Sequence, residues 1–587
     1  MNTILAKIRK ITDHPLLFAL LINGSALFIS LFVYKPFFEE SDDAYLSLLA
    51  EGAFGKRTMY LECSSTLLGR IYQCLYAVCP VVRWHTVIQY LFLFTAYTCL
   101  TYVFLRLAGR KDKKGVLAAI VLVAMTFYQS YVSLQYTKTS TIVCTVGYIA
   151  LLYSMRRERE DGENRDNDRN GQRGRILLRL LGWLFLIYGI MLRAYGAEMA
   201  TLFMLPPGIY AFAKIVKTKD GKRIRTFILS FGIVGVLFCA LVGADRMTYY
   251  SNAEWSTYFT HRMTRYRLVD RRYDLLDFTK YAQRLQEKGI SENDAKMFLT
   301  WQLGDDSVFS TEKIADILQD APQRKFNADL FKAMAEHIYE DVFVWDPLVI
   351  GAMLVLLYSL LLLWEKKDRN GICLLFTELA ILICVLVYYQ YSGRWSHRVV
   401  YSAMLIFPVI LLYYLLTGRA HETVPCRDHY CALAILAVAC AVVFLGNRFT
   451  YNDHKRDELD HAQFYEEIAR HKDTLYVADS FTFMNAFRYE VFHPVEEGSM
   501  DNYVNTGSWF LNSPTTKELT RGYGYDNPIH ALAGITVDGA DKGSDVILVD
   551  NKFLDEKLCF LEEHYGTYEA QELPQQFGFH MYRIIKR

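Results

Sequence analysis

Asp42 and Asp43 stand side by side just beyond the first long apolar stretch of this 587-residue chain, in the run FFEESDDAYLSLLAEGAFG. A carboxylate fixed at such an edge can take the proton from a hydroxyl as that oxygen attacks another centre, if the two lie within hydrogen-bond reach. Neighbouring residues at a helix start point about 100° apart, so one acid is expected to face a cavity while the other caps a helix beginning at Ala44. Asp43 is the preferred base and Asp42 the cap or supporting acid. The plain alternative is that Ser41, Asp42 and Asp43 only cap a helix lying on a membrane surface.

Cations that could hold a developing anion stand at the ends of other apolar stretches. Arg193 closes one and is followed by Glu198, Lys138 lies in the turn QYTKTST, and Arg394, His397 and Arg398 crowd the turn YSGRWSHR. Ionisable groups at membrane depth are paired or functional. The competing readings are an Arg193–Glu198 salt bridge, headgroup anchoring for the three cations of YSGRWSHR, and simple anchoring for Lys138. His261, Arg262, Arg265 and Arg267 suit sugar or phosphate contacts and suit a solvated basic helix face equally.

The elements that must position these groups are membrane spans. The chain is 52% hydrophobic, 15% aromatic and 22% charged, with its apolar residues in long blocks. A span needs roughly 20 apolar residues, and blocks of that length recur from Leu16 to Gly446. Spans are expected at 15–35, 84–105, 116–133, 140–155, 177–193, 197–213, 226–248, 347–364, 372–390, 399–417 and 429–446. Every second connection is rich in Lys and Arg, which places the amino terminus in the cytoplasm. The first span reads as a retained anchor, because no small-residue cleavage site follows it. With about eleven spans the carboxyl terminus lies outside. Residues 1–446 then form the membrane module, with external loops 36–83 and 249–346, and residues 447–587 form an extracytoplasmic domain.

The formal net charge of +1 gives no basic field for nucleic acid. Most of the twelve Cys fall inside apolar spans, and no zinc-type spacing occurs. Cys63, Cys74 and Cys79 could form one disulfide, with free thiols preferred. Asp42 and Asp43 with Glu39 or Glu40 could hold a divalent ion through oxygen ligands, but no separate carboxylate motif demands one, and no metal or cofactor is assigned.

A first span entering from the cytoplasm, the acidic pair in the loop after it, tight second and third external turns and a large fourth external loop together resemble the GT-C membrane glycosyltransferases, over the layout of roughly residues 1–400. That resemblance implies a multi-pass cell-membrane enzyme, mainly α, that takes a sugar from a polyprenyl-phosphate carrier and passes it to a cell-surface glycan or lipid in a bacterium. It also implies an Asp of the first loop as base in an inverting transfer. The donor phosphate would be met by Arg193, Arg394, His397, Arg398 or Lys138. An oligosaccharide polymerase or ligase, relying on external Arg and His, is the alternative in the same pathway. A transporter or flippase ranks lower, because only Pro206–Pro207 visibly interrupts a span and no repeated halves are found.

The tail reads as a small α/β domain. TLYVAD from Thr474, SDVILVD from Ser544 and FHMYRII from Phe579 are expected strands, with NKFLDEKLCFLEEHYG helical between them. Asp479 and Asp550 close two of those strands and are expected to start ordinary turns. GSWFLNSP and RGYGYDNP carry aromatics suited to stacking on sugar rings.

Overall fold

A computed structural model describes residues 14–108, 113–156, 168–319, 321–342, 347–417, 461–479, 481–482, 491–537 and 544–587. Among them, nine helices are long and apolar enough to cross a membrane: Pro15–Tyr34, Trp84–Ala108, Gly115–Val132, Gln172–Leu192, Ala194–Lys217, Gly221–Tyr250, Leu348–Glu365, Arg369–Ser392 and His397–Thr417. Each overlaps an expected span. The expected span at 429–446 lies outside the described residues.

The remaining expected span, at 140–155, is the helix Tyr136–Ser154, and every one of its residues is buried. It faces protein on all sides, so it can carry hydroxyls that a lipid-facing helix would avoid. Those hydroxyls are satisfied within the helix: Thr141 Oγ1 donates to the Thr137 carbonyl and Thr145 Oγ1 to the Thr141 carbonyl, both at 2.8 Å. Gly221–Tyr250 is the opposite case, burying only Phe227, Ser230, Val234 and Tyr249 and turning Ile228, Leu229 and Val236 outward, as a helix against hydrocarbon should.

Small residues let the central helix meet its neighbour closely. A methyl added at Gly147 would come within 2.9 Å of the Gly182 carbonyl oxygen, and one at Gly182 equally close to the Gly147 carbonyl. Further along the seam, Ser140 Oγ donates to the carbonyls of Gly189 and Arg193 at 2.8 Å each.

The carboxyl-terminal sheet has the order β4-β3-β5-β7-β6, built from β3 (Thr474–Ala478), β4 (Tyr503–Asn505), β5 (Asp545–Val549), β6 (Tyr568–Gln576) and β7 (Phe579–Lys586). β4, β3 and β5 are parallel, and β7 runs antiparallel to both its neighbours, β5 and β6. Alternation along β3 divides the two faces. Tyr476 and Ala478 join the core that runs on into the helical bundle. Leu475 and Val477 join a second core with Phe298, Phe309 and Ile314 from the segment 249–346. The sheet is thus clasped between the bundle and that segment.

Candidate active site

The site begins where the first span ends. Phe37–Phe38 (β1) pairs in parallel with Ser133–Leu134 (β2), and Glu39 N donates to the Leu134 carbonyl at 2.9 Å. This short bridge lays residues 36–43 along the start of the central helix. The next helix, Ser41–Glu51, opens at Glu40 without a side-chain cap, carries both acids in its first turn, where the helix dipole favours them, and stops at left-handed Gly52. It starts three residues before the expected Ala44, and neither Asp caps it.

The two acids diverge as their angular offset requires. Asp43 is fully buried: Oδ1 accepts from Tyr136 N at 2.8 Å, at the start of the central helix, and Oδ2 has no partner. Burial raises its carboxyl well above the usual range, against the pull of the Tyr136 N–H. Asp42 instead lines a cavity of about 330 Å³ and binds Arg398, Nη1 to Oδ2, at 2.5 Å. The acid facing the hollow is Asp42, where the sequence favoured Asp43.

The expected cations fall into place around this pair. Arg398, in the first turn of His397–Thr417, shares the cavity wall with Asp42. Arg394 pairs with Asp270, Nη2 to Oδ2 at 3.3 Å, with its guanidinium 4.7 Å from the centre of the Tyr266 ring, and Asp270 in turn lines the cavity. His397 does not line the cavity; its ring lies parallel to that of Tyr401 at 6.3 Å. Arg193 donates to the carbonyl of cavity-lining Cys63 at 3.0 Å and sits over the rings of Tyr136 and Tyr195, not against Glu198. Lys138 is buried and held by Glu39 at 2.6 Å and Gln129 at 2.7 Å, away from the cavity.

Among the wall residues, Glu62, Asp270 and Trp301 carried no signal in the sequence, whereas GSWFLNSP and the basic residues of the loop 249–346 did. Glu62 stands at a left-handed φ of 57°, its Oε1 3.9 Å from Arg262 Nε, and Arg262 Nη2 donates to the Glu62 carbonyl at 3.1 Å. Burial pushes its carboxyl up to about 7, opposed by Arg262 and Arg265 and aided by Asp42. Burial likewise raises Asp270, against Arg394 and Arg398. Trp301 and the segment Gly507–Trp509 form the wall contributed by the loop 249–346 and the sheet. Arg265, fully buried, donates to the carbonyls of Ser508 at 3.2 Å and Trp509 at 2.8 Å, and burial lowers its guanidinium to about 10. His261 bonds Thr311 at 2.9 Å, and burial lowers it to about 4.

The acids at the ends of β3 and β5 point elsewhere. Asp479 and Asp550 enclose the buried ammonium of Lys557 and accept backbone N–H groups from Phe481, Thr482, Lys552 and Phe553. The turn at Asp479 nevertheless brings Phe481 to the cavity. Both parallel strands β3 and β4 thus deliver their carboxyl-end loops to the hollow that Asp42 faces, the side of a parallel sheet where ligands bind.

Glu51 fastens this assembly from behind. It receives Arg83 through both oxygens, at 2.6 and 3.0 Å, and Val495 N at 3.1 Å. A larger cleft, of about 1760 Å³, opens beside Tyr60, Trp255, Lys472 and Arg521, but it lacks both acids of the pair. Cys63, Cys74 and Cys79 are free thiols. Among the described residues one trio of metal-capable side chains converges, Asp294, Glu563 and His564, and none of the three lines the cavity.

No family model matches the sequence, and no curated protein does. Two solved structures are similar along nearly the whole chain. One is ArnT from Cupriavidus metallidurans bound to undecaprenyl phosphate, at 10% identity and a TM-score of 0.39, covering 96% of this chain and 97% of that one. The other is the same organism's ArnT in the apo state, at 11% identity and a TM-score of 0.38, covering 96% of each.

Proposed function

We propose that this protein is a membrane glycosyltransferase of the GT-C type that moves a sugar from a polyprenyl-phosphate carrier to a cell-surface glycan or lipid, with Asp42 as general base. The observation that carries the proposal is the Asp42–Arg398 pair on the wall of one cavity, a base and a phosphate ligand side by side. Arg398 belongs to the first turn of a membrane-spanning helix, within reach of a phosphate whose lipid tail stays in the hydrocarbon.

The chemistry follows from that placement. The acceptor hydroxyl gives its proton to an Asp42 oxygen as its own oxygen bonds to the anomeric carbon. The bond from that carbon to the phosphate oxygen breaks, the electron pair stays on the phosphate, and a guanidinium holds the charge. Attack opposite the leaving group inverts the anomeric centre. In the free protein Arg398 engages Asp42. A phosphate arriving at Arg398 competes for the same N–H groups and releases the carboxylate to act as base, so the donor arms the site. Arg394 acts one step removed, holding Asp270 in the wall, and Asp43 fixes the loop against the central helix.

The test compares surface-glycan composition and the pool of lipid-linked sugar in cells carrying the wild type, Asp42→Asn or Arg398→Ala at equal protein level. Loss of one glycan component with build-up of a lipid-linked sugar is expected in both variants. Unchanged glycan in both overturns the proposal.

A further inference from the structure

The cavity that Asp42 lines is also lined by two indole rings, Trp301 and Trp509, with centres 4.9 Å apart and planes at 62°. They come from distant parts of the chain, the loop 249–346 and the segment after β4. Both are only partly buried, and both line the hollow.

Their backbones are held at some expense. Trp301 adopts a left-handed φ of 59°, a region that costs a bulky residue of order 1–3 kcal/mol. Its carbonyl presses so closely on Gly507 that a methyl there would overlap the oxygen. On the other side, the Trp509 carbonyl receives Arg265 at 2.8 Å and the Tyr258 hydroxyl at 2.7 Å, and the Arg262 guanidinium lies 5.8 Å from the ring centre. Strain at Trp301 and three anchors at Trp509 fix two large apolar side chains in a chamber that also holds Asp42, Glu62, Asp270 and Arg398, beside Tyr45, Leu46, Leu49 and Phe481.

We infer that Trp301 and Trp509 form a saccharide subsite, stacking a pyranose ring of the acceptor while Asp42 engages its hydroxyl. A pyranose has an apolar C–H face that lies on an indole and a rim of hydroxyls that Asp42, Glu62 and Asp270 can accept from. The acceptor is the ring in question because the donor phosphate belongs beside Arg398 on the spanning helix, whereas the indoles are set by the sheet and the loop that clasps it. The inference rests on the glycosyltransferase proposal for the identity of the ligand.

Saturation-transfer NMR on the full-length protein in nanodiscs tests it. The probes are methyl glycosides of glucose, galactose, mannose, N-acetylglucosamine and rhamnose, with linear trisaccharides of each. At least one probe is expected to bind through its C–H face, with roughly tenfold weaker affinity for Trp509→Leu and near-normal affinity for Trp509→Phe. Leucine keeps the backbone carbonyl that Arg265 and Tyr258 hold, so folding is retained, and the melting temperature confirms it. Asp42→Asn, inactive on the proposal above, loses one hydroxyl contact but keeps both indoles, so it still shows saturation transfer to the C–H face that Trp509→Leu loses, and loss of turnover and loss of stacking are separate results. The inference is overturned if no probe binds the wild type, or if Trp509→Leu and Trp301→Leu bind as the wild type does.

Discussion

Asp42 and Arg398 lie 356 positions apart in the chain and meet at 2.5 Å. One comes from the helix after the first span and the other from the head of the span His397–Thr417, so the pair joins the first loop to the far side of the bundle. Asp42→Asn is expected to lower transfer by about 100-fold or more, the contribution of a positioned base. Arg398→Lys should fall between wild type and Arg398→Ala, since an ammonium keeps the charge and loses the fork. Product release from a lipid-linked donor, followed by chromatography, reads both.

Asp43 predicts a different outcome. Its raised carboxyl stays protonated in the fold after the unfolded chain has ionised, so the folded state loses ground as pH rises above about 4. Asp43→Asn should match the wild type near pH 4 and gain on it toward pH 8. Asp43→Ala, which removes the acceptor for Tyr136 N, should lose about 1–3 kcal/mol throughout. Thermal unfolding across that pH range distinguishes the three proteins.

Glu62 titrates closer to neutrality. From an ordinary 4.5 it is pushed up to about 7, so the folded protein is progressively penalised between those values and the penalty levels off above 7. Glu62→Gln should equal the wild type near pH 4.5 and exceed it by roughly 3 kcal/mol at pH 8. Chemical denaturation at the two pH values measures the difference; equal stability at pH 8 refutes it.

Lys557 lies fully buried between two carboxylates, and Lys557→Met would leave both uncompensated. A loss of about 3–5 kcal/mol is expected, with partial recovery when Asp479→Asn and Asp550→Asn are added. Because Asp479 also holds Phe481 N at 2.8 Å, the single variant should loosen the cavity wall, seen as faster proteolysis near Phe481.

Length and apolarity made the spanning helices legible in the sequence, even Tyr136–Ser154, whose hydroxyls are turned back on its own carbonyls. The turn of Arg394, His397 and Arg398 runs against the orientation rule. For two of the three, the cation has a half-buried carboxylate partner in the cavity wall, Asp270 and Asp42. What local pattern could not convey is pairing at a distance. Asp43 finds its partner 93 residues away at Tyr136 N, and Glu62 and Trp301 take left-handed backbones that no Gly or Asn announces. The preference for Asp43 over Asp42 failed to anticipate the cavity because a 100° offset says that two side chains part, not which of them meets empty space. GSWFLNSP was legible as aromatic-rich, but its place in the cavity that Asp42 lines depends on contacts such as those of Arg265 with the Ser508 and Trp509 carbonyls.

The touching backbones at Gly147 and Gly182 set a lower limit on the separation of two helices, and the loop bearing Asp42 is docked on the head of one of them. An axle that admits no further approach works as a datum: the acid keeps its height and bearing whatever fills the chamber. Adjustment to guests of different bulk therefore falls to the indoles of the loop 249–346 and the segment after β4, since the chain entering β4 is itself tied to the end of the acid's helix by main-chain bonds, Gly498 N to the Gly52 carbonyl at 2.8 Å and Met500 N to the Ala53 carbonyl at 2.7 Å. Changes that broaden or narrow the range of accepted guests should collect there, and leave the axle untouched.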